Sequence, residues 1–205
     1  MTARLWCLLV ASWISAAVAA PRTFTIDGNA STASAHVGKT GIGSFAGHDH
    51  TIIAQGIQGE VVVDPEQLSR SSVDVLVNAR SLKVSEEGEP EGDARKVQQA
   101  MRGPKVLDVL RYGIIRFRSA EVTATQVAPG SFDLTLAGEL SLHGVTKPVT
   151  VPVRLDLQSD ALTATGKMVV KQSEFGIEPT SAGGGLVKVE DEVSLNFRIA
   201  ARAGP

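Results

Sequence analysis

The residues with the clearest potential for chemistry are histidines, two of which lie in the segment Gly47-His48-Asp49-His50. In an extended chain, His48 and His50 would point to the same face, about 6.6 Å apart at about 3.3 Å per residue. Two imidazoles at that spacing can bind one metal ion, with Asp49 supporting them and His143 or His36 as the candidates for a third ligand. One hypothesis is therefore a metal-binding protein or metal-dependent enzyme that uses His48, His50 and His143. The alternative is that the histidine pair only forms hydrogen bonds within a loop.

Other catalytic motifs are incomplete. The segment Gly43-Ser44-Phe45-Ala46-Gly47 is similar to a nucleophile elbow, but Ile42 stands where the first glycine is required. The chain carries 20 Lys+Arg against 22 Asp+Glu, so it lacks the basic excess that neutralises phosphates. We therefore expect neither hydrolytic catalysis nor nucleic-acid binding.

The first residues have the pattern of a secretory signal peptide. Arg4 precedes an apolar stretch over residues 5–14, and small residues follow up to Ala20. The pattern predicts a signal peptide over residues 1–19, cleaved near Ala19, and hence a periplasmic or secreted protein. Since Cys7 is the single cysteine, the mature protein would have no disulfide bond.

Alternating apolar and polar residues recur along the rest of the chain and predict strands with one buried face. The runs cover residues 24–26, 33–37, 57–63, 73–77, 115–117, 132–142, 149–157, 162–170 and 193–199. Turn residues separate them at short intervals, which favours antiparallel neighbours in a sandwich or an up-and-down barrel. Pro152 is expected to face outward at an irregular or weakly paired position, because it has no N–H to donate.

One stretch breaks this alternation. An acidic loop over residues 85–92 is followed by Asp93, which can cap a helix with Ala94, Val97 and Met101 on one face. Gly103-Pro104 would end it. We expect this short helix to plug an end of the barrel or to cover a seam.

The mature chain resembles the YceI family of exported bacterial proteins over most of its length. The most distinctive piece is the Leu140–Val149 hairpin with Leu142-His143-Gly144-Val145 at its centre. The other matching pieces, in chain order, are Phe24-Thr25-Ile26-Asp27, Gly59-Glu60-Val61-Val62-Val63-Asp64, Ala79-Arg80-Ser81-Leu82, Ile115-Arg116-Phe117-Arg118-Ser119, Lys171-Gln172-Ser173-Glu174-Phe175-Gly176-Ile177 and Val189-Glu190-Asp191-Glu192-Val193.

The resemblance implies a single all-β domain over residues 23–202, an extended antiparallel eight-stranded barrel of lipocalin-like shape with a helical insert. It also implies a non-catalytic protein that encloses an isoprenoid or related lipid, requires no cofactor and makes transient contact with a membrane. A ligand-free interaction module with a filled barrel is the remaining alternative. The inward faces of the strands would line the ligand cavity with Phe24, Ile26, Ala33, Ala35, Val37, Val61, Val73, Val75, Val77, Phe117, Leu134, Leu136, Leu140, Val151, Val153, Leu155, Ala164, Met168, Phe175, Leu195 and Phe197.

Overall fold

The computed structural model describes residues 20–40, 49–88, 90–182 and 187–204. The segment 1–19, which carries the predicted signal peptide, lies outside the described residues, and so does His48. The described strands are β1 (Arg22–Ile26), β2 (Thr32–Thr40), β3 (His50–Ala54), β4 (Ile57–Val63), β5 (Ser72–Asn78), β6 (Lys83–Val84), β7 (Ile114–Ala128), β8 (Ser131–Leu142), β9 (Val145–Leu157), β10 (Ala161–Lys171), β11 (Ser181–Ala182) and β12 (Val187–Ala203). One α-helix, α1, spans Asp93–Arg102.

Eight of the strands form a closed antiparallel ring. The order around the ring is β1, β4, β5, β7, β8, β9, β10 and β12, and β12 pairs back onto β1. The predicted eight-stranded antiparallel barrel with one helical insert is thus confirmed. Closure removes the exposed sheet edges that an open sheet of the same strands would present.

Three walls of the barrel are built from pairs of strands placed end to end. β2 continues β1 along β12, which pairs with β1 through residues 201–203 and with β2 through residues 188–198. In the same way β3 continues β4, and β6 continues β5. At the break between β1 and β2, the Ser31 hydroxyl accepts a hydrogen bond from the Ala200 N–H at 3.0 Å and donates to the Ala200 carbonyl at 3.3 Å. Two short strands placed end to end thus span the length that one long strand would span.

The alternation seen in the sequence matches the two faces of the barrel wall. On β9, Val151, Val153 and Leu155 are buried, whereas the intervening residues, such as Pro152 and Arg154, are exposed. Because side chains alternate between faces along a strand, the apolar set of each strand points into the barrel. The interior is therefore apolar along its length.

Helix α1 lies against β6, a strand of only two residues in the barrel wall. Gly92 is the residue at the N-cap position, so Asp93 is the first helical residue and not the cap that the sequence predicted. Its carboxylate accepts a hydrogen bond from Lys96 at 2.8 Å. On the inner face Met101 is buried and packs against the cluster of Ile52, Leu82 and Val84. No helix in the described part of the chain has the length and apolar character needed to cross a membrane.

The side chain of Gln98 takes the place of a neighbouring strand beside β6. Its amide oxygen accepts from the Val84 N–H at 2.8 Å, and its amide nitrogen donates to the Leu82 carbonyl at 2.9 Å. Arg102 donates to the carbonyls of Arg80 and Leu82 on the same side. The helix therefore satisfies backbone groups that would otherwise stay unpaired at this edge.

A pair of arginines on β7 holds the carboxylate of Asp74 on the outer face of β5. Arg116 donates to both carboxylate oxygens, through Nε at 2.7 Å and through Nη2, and Arg118 donates at 3.4 Å. The hydrogen bond from Arg116 is the largest cause of a lowered pKa of Asp74. The unfolded chain therefore binds the proton more tightly than the folded chain does.

This ion pair makes the stability of the barrel depend on pH. Because the pKa of Asp74 is lowered in the folded state, its contribution is full above the unfolded pKa of about 3.9 and is lost as the pH falls through the folded value. We expect Asp74→Asn to be less stable than the parent protein at pH 7 and about as stable at strongly acidic pH. Urea unfolding at several pH values measures this difference, and a gap that persists at acidic pH would contradict the assignment.

Candidate functional site

The interior of the barrel contains a cavity of about 340 Å³. It is lined by every residue that the sequence analysis predicted to line it, except Phe24, Ile26 and Phe175. A barrel with its interior packed solid, on which the ligand-free alternative depends, is therefore not observed. Whether the lining residues contact a ligand stays a prediction.

Small side chains on the inner face create this space. Ala33 and Ala35 on β2 lie opposite Phe197 and Leu195 on β12, so small residues face large ones across the ladder. On β10, Ala164 also lines the cavity. Larger side chains at these positions would occupy part of the cavity.

The cavity lining contains only four polar residues within the described part of the chain, Ser34, Ser71, Gln172 and Asn196, and none that titrates. The side chains of two of the four form hydrogen bonds with backbone groups. The Ser71 hydroxyl accepts from the Asp64 N–H at 3.1 Å, and the Gln172 side chain donates to the Glu190 carbonyl at 2.7 Å. A molecule in this cavity would be bound mainly through apolar contact.

Phe24 and Ile26 fill one end of the barrel. Both are buried, with 1% and 7% of their surface exposed, in a cluster with Leu162 and Ala201. The alternation of β1 indicates correctly that they face inward. It does not show that they lie at the end of the barrel, behind the residues that line the cavity.

Phe175 is placed near the opposite end by a turn of 3-10 helix over Gln172–Phe175, and it is fully buried. The carboxylate of Asp191 on β12 fixes this turn, since it accepts from the Ser173 N–H at 2.8 Å and from the Ser173 hydroxyl at 2.6 Å. These bonds are the main cause of a lowered pKa of Asp191. Phe175 thus packs in the wall of the barrel, and Ile177, two residues on, lines the cavity in its place.

His143 connects the β8–β9 hairpin to this turn. His143 and Gly144 both have positive φ angles, of 52° and 75°, as a two-residue hairpin of type I′ requires. Nδ1 of His143 lies 3.1 Å from the Phe175 carbonyl oxygen, and the ring meets Tyr112 edge-on at 4.9 Å between centroids. This environment gives His143 a role in holding the hairpin against the Phe175 turn.

The other two described histidines, His36 and His50, lie on the neighbouring strands β2 and β3. His50 begins β3 opposite Val37, and Asp49 contacts β2, with its carboxylate 3.5 Å from His36 and 3.7 Å from Lys39. Among the residues that the structure describes, no three His, Cys, Asp or Glu side chains gather as a metal site would require. Since His48 is outside that set, metal binding through His48, His50 and His143 stays a prediction.

Some lining residues that were not predicted lie on the inner faces of the predicted strands, such as Leu162 and Val193, and four come from outside the regular alternation. Met101 lies on α1, Val106 and Leu107 lie in the segment after it, and Leu82 lies at a break in the barrel wall. The helical spacing of residues 94–101 does identify Met101 as part of an apolar face. Nothing in the local pattern shows that this face closes the cavity.

Comparisons with known proteins agree with this architecture. A family model described as the YceI-like domain matches residues 24–201. A UPF0312 protein of Vibrio cholerae serotype O1 is 34% identical over 93 residues, which cover 45% of this chain and 43% of that protein. The match thus spans less than half the length of this curated relative.

Two solved structures are similar to the barrel. BcnA of Burkholderia cenocepacia superposes with a TM-score of 0.64 at 19% identity, covering 85% of this chain and 98% of that chain. A polyisoprenoid binding domain from Saccharophagus degradans, implicated in plant cell wall breakdown, superposes with a TM-score of 0.60 at 13% identity, covering 88% and 98%. At these identities the likeness establishes the fold.

Proposed function

Because the chain belongs to the YceI-like domain family, we propose that its barrel binds one molecule of a long apolar lipid, an isoprenoid or a related amphiphile. The observation that carries this proposal is the volume and the apolar lining of the interior cavity. The similarity to a structure described as a polyisoprenoid binding domain supports the choice of lipid.

Burial of a hydrocarbon chain would supply most of the binding energy. Each buried methylene contributes about 0.8 kcal/mol, so ten carbons contribute about 8 kcal/mol before ordering costs. The apolar lining of the cavity provides the surface against which such a chain would be buried.

The chemistry of the lining favours binding without a reaction. The cavity presents no titratable side chain from the described residues that could act as an acid, a base or a nucleophile. We propose that the protein transports, stores or sequesters its lipid. Residues 1–19 support the further proposal that it does so after export, in the periplasm or outside the cell.

Native mass spectrometry tests this function directly. The mature protein is purified from a bacterial periplasm without detergent, and the bound material is then extracted with solvent. We expect an added mass of several hundred daltons, which is on the scale of a single lipid and is lost on extraction as an isoprenoid. A mass equal to that of the polypeptide, together with failure of the stripped protein to take up farnesol, would contradict the proposal.

We also propose that the segment after α1 contacts the membrane when lipid is exchanged. Leu110 is 81% exposed and is followed by Arg111, whose side chain is 72% exposed. Val106 and Leu107, a few residues earlier, line the cavity. An exposed leucine beside an exposed arginine suits an anionic lipid surface, although Arg111 also pairs with Asp108 at 3.8 Å. Leu110 lies three residues beyond Leu107, which lines the cavity.

Leu110→Glu tests this contact. The substitution replaces an apolar side chain by an acidic one, and we expect it to reduce flotation of the protein with vesicles that contain anionic lipid. Val127→Glu is the matched control, because Val127 is also exposed, at 45%, but lies near the β7–β8 turn. An equal loss of flotation in both variants would show that the added negative charge causes it, wherever that charge lies on the surface, and would contradict the proposed contact.

A further inference from the structure

The ladder between β9 and β10 is incomplete. The two strands pair only through residues 153–157 and 162–166, ending at Val153 opposite Gly166. β9 nevertheless continues to Val145, where it pairs with β8, and β10 continues to Lys171, where it pairs with β12. Residues 145–152 and 167–171 thus border a slot in the barrel wall, a stretch of these described strands without cross-strand pairing.

Two prolines explain why the ladder stops there. In an antiparallel sheet, successive residues direct their N–H groups to opposite neighbours. The Leu157 N–H donates to Gly130 beside β8, and the Gln158 N–H donates to Ala161 of β10. β9 keeps one register with β8 along its whole length. The even-numbered residues of β9 therefore direct their backbone N–H groups toward β10.

Pro148 and Pro152 occupy even-numbered positions and have no N–H to donate. Pro152 comes immediately before Val153, which forms the last pair with β10. Half of the donors that residues 145–152 could direct at β10 are therefore missing. The two prolines therefore disfavour a continuous ladder between β9 and β10 along the slot.

The fully buried side chain of Phe175 packs at this slot. Its turn, Gln172–Phe175, contacts both β9 and β10. Phe175 belongs to an apolar cluster that includes Val149 of β9 and Val170 of β10. The slot is thus closed by an apolar side chain, whereas the paired part of β9 and β10 is closed by backbone hydrogen bonds.

We propose that the slot is the portal through which the lipid enters and leaves the cavity, with Phe175 as its gate. This inference rests on the proposed lipid-binding function and adds the route of exchange. One end of the barrel is filled by Phe24 and Ile26, and the other is covered by Met101 and Leu107. No ladder pair joins β9 and β10 beyond Val153 and Gly166, so a long chain can pass sideways into the interior here when Phe175 moves aside.

A cross-link across the slot tests the route. Thr150 and Val169 are both exposed on its two borders. In the protein that begins at Ala20, which contains no other cysteine, Thr150→Cys with Val169→Cys is joined by a flexible bismaleimide, and binding of radiolabelled farnesol to the stripped protein is followed over time. The cross-link holds the two borders together, so we expect farnesol to load and leave about tenfold more slowly or slower still. The amount of farnesol bound at equilibrium should stay unchanged.

The matched control joins the same strands where they are already paired. Arg154→Cys with Thr165→Cys links two residues that are direct partners in the ladder, and its cross-link is expected to leave both rates unchanged. Unchanged rates in the slot cross-link, with normal farnesol capacity, would overturn the portal alone. No farnesol binding by the parent protein would overturn both the portal and the proposed function.

Restoring the missing donors is a second test that needs no cross-linker. Pro148→Thr with Pro152→Thr allows two new hydrogen bonds to β10, and we expect slower exchange of farnesol at equal capacity, by about tenfold. Phe175→Leu replaces the side chain that closes the slot by a smaller one, and we expect it to accelerate the exchange of farnesol. If both variants exchange farnesol at the parental rate, the slot is not the portal.

Discussion

Filling the cavity is expected to abolish lipid binding and to leave the barrel folded. Ala164 lines the cavity from β10, between its partners Leu155 and Ile199. In Ala164→Phe the added ring would occupy the space of about five methylene groups of the lipid. At about 0.8 kcal/mol each, that loss is about 4 kcal/mol, or about a thousandfold in Kd.

The stability of this variant separates loss of the site from loss of the fold. The ring would project into the cavity and displace no side chain that lines it, so we expect the Tm of the stripped protein to be no lower than that of the parent. Thr163→Phe is the matched control, because Thr163 is the neighbouring residue on the outward face of β10. Farnesol binding and thermal unfolding are measured on both. Normal binding by Ala164→Phe would show that the lipid lies elsewhere.

The largest loss of stability is expected from Gly59→Ala. Gly59 lies on β4 opposite Val75 with a φ of 139°, a conformation that residues with side chains rarely adopt. A Cβ at this position would lie 2.0 Å from the Asp74 carbonyl oxygen. Backbone strain and the clash together predict a loss of about 3–5 kcal/mol in the free energy of unfolding.

Gly56→Ala is the control that separates these two causes. Gly56 also has a positive φ, of 66°, but a Cβ there would have 4.0 Å to its nearest neighbour, the hydroxyl of Ser81. Strain alone should cost about 1–2 kcal/mol. Urea unfolding of both variants measures the difference. Equal losses would mean that β4 and β5 can separate at Gly59 without cost.

The strands and their inward faces could be predicted from the sequence because one buried face imposes a period of two. On β9 this period distinguishes Val151 and Val153 from Pro152, and the structure confirms the division. The period carries no information on depth along the barrel. For that reason Phe24 could not be distinguished from Val61, its partner on β4, although only Val61 lines the cavity.

Features that depend on distant segments could not be read from local patterns. Phe175 is held in the wall by Asp191 through the intervening Ser173, and Asp49 meets His36 only because β2 and β3 pair. The predicted start of α1 differs from the observed one by one residue. Gly92, in the left-handed conformation, is the N-cap residue, and Asp93 is the first residue of the helix. Each of these outcomes is decided by tertiary contacts that the spacing of residue types does not encode.

The double hydrogen bond between Ser31 and Ala200 joins positions 169 residues apart and has a consequence for folding. The ladders from β7 to β10 join segments that follow one another in the chain, so they can form early as hairpins. The closing ladder must wait until the last strand is available, and contacts of such high sequence separation slow folding. A chain in transit across a membrane would then stay open until its end arrives, and the apolar interior would be enclosed in the final step.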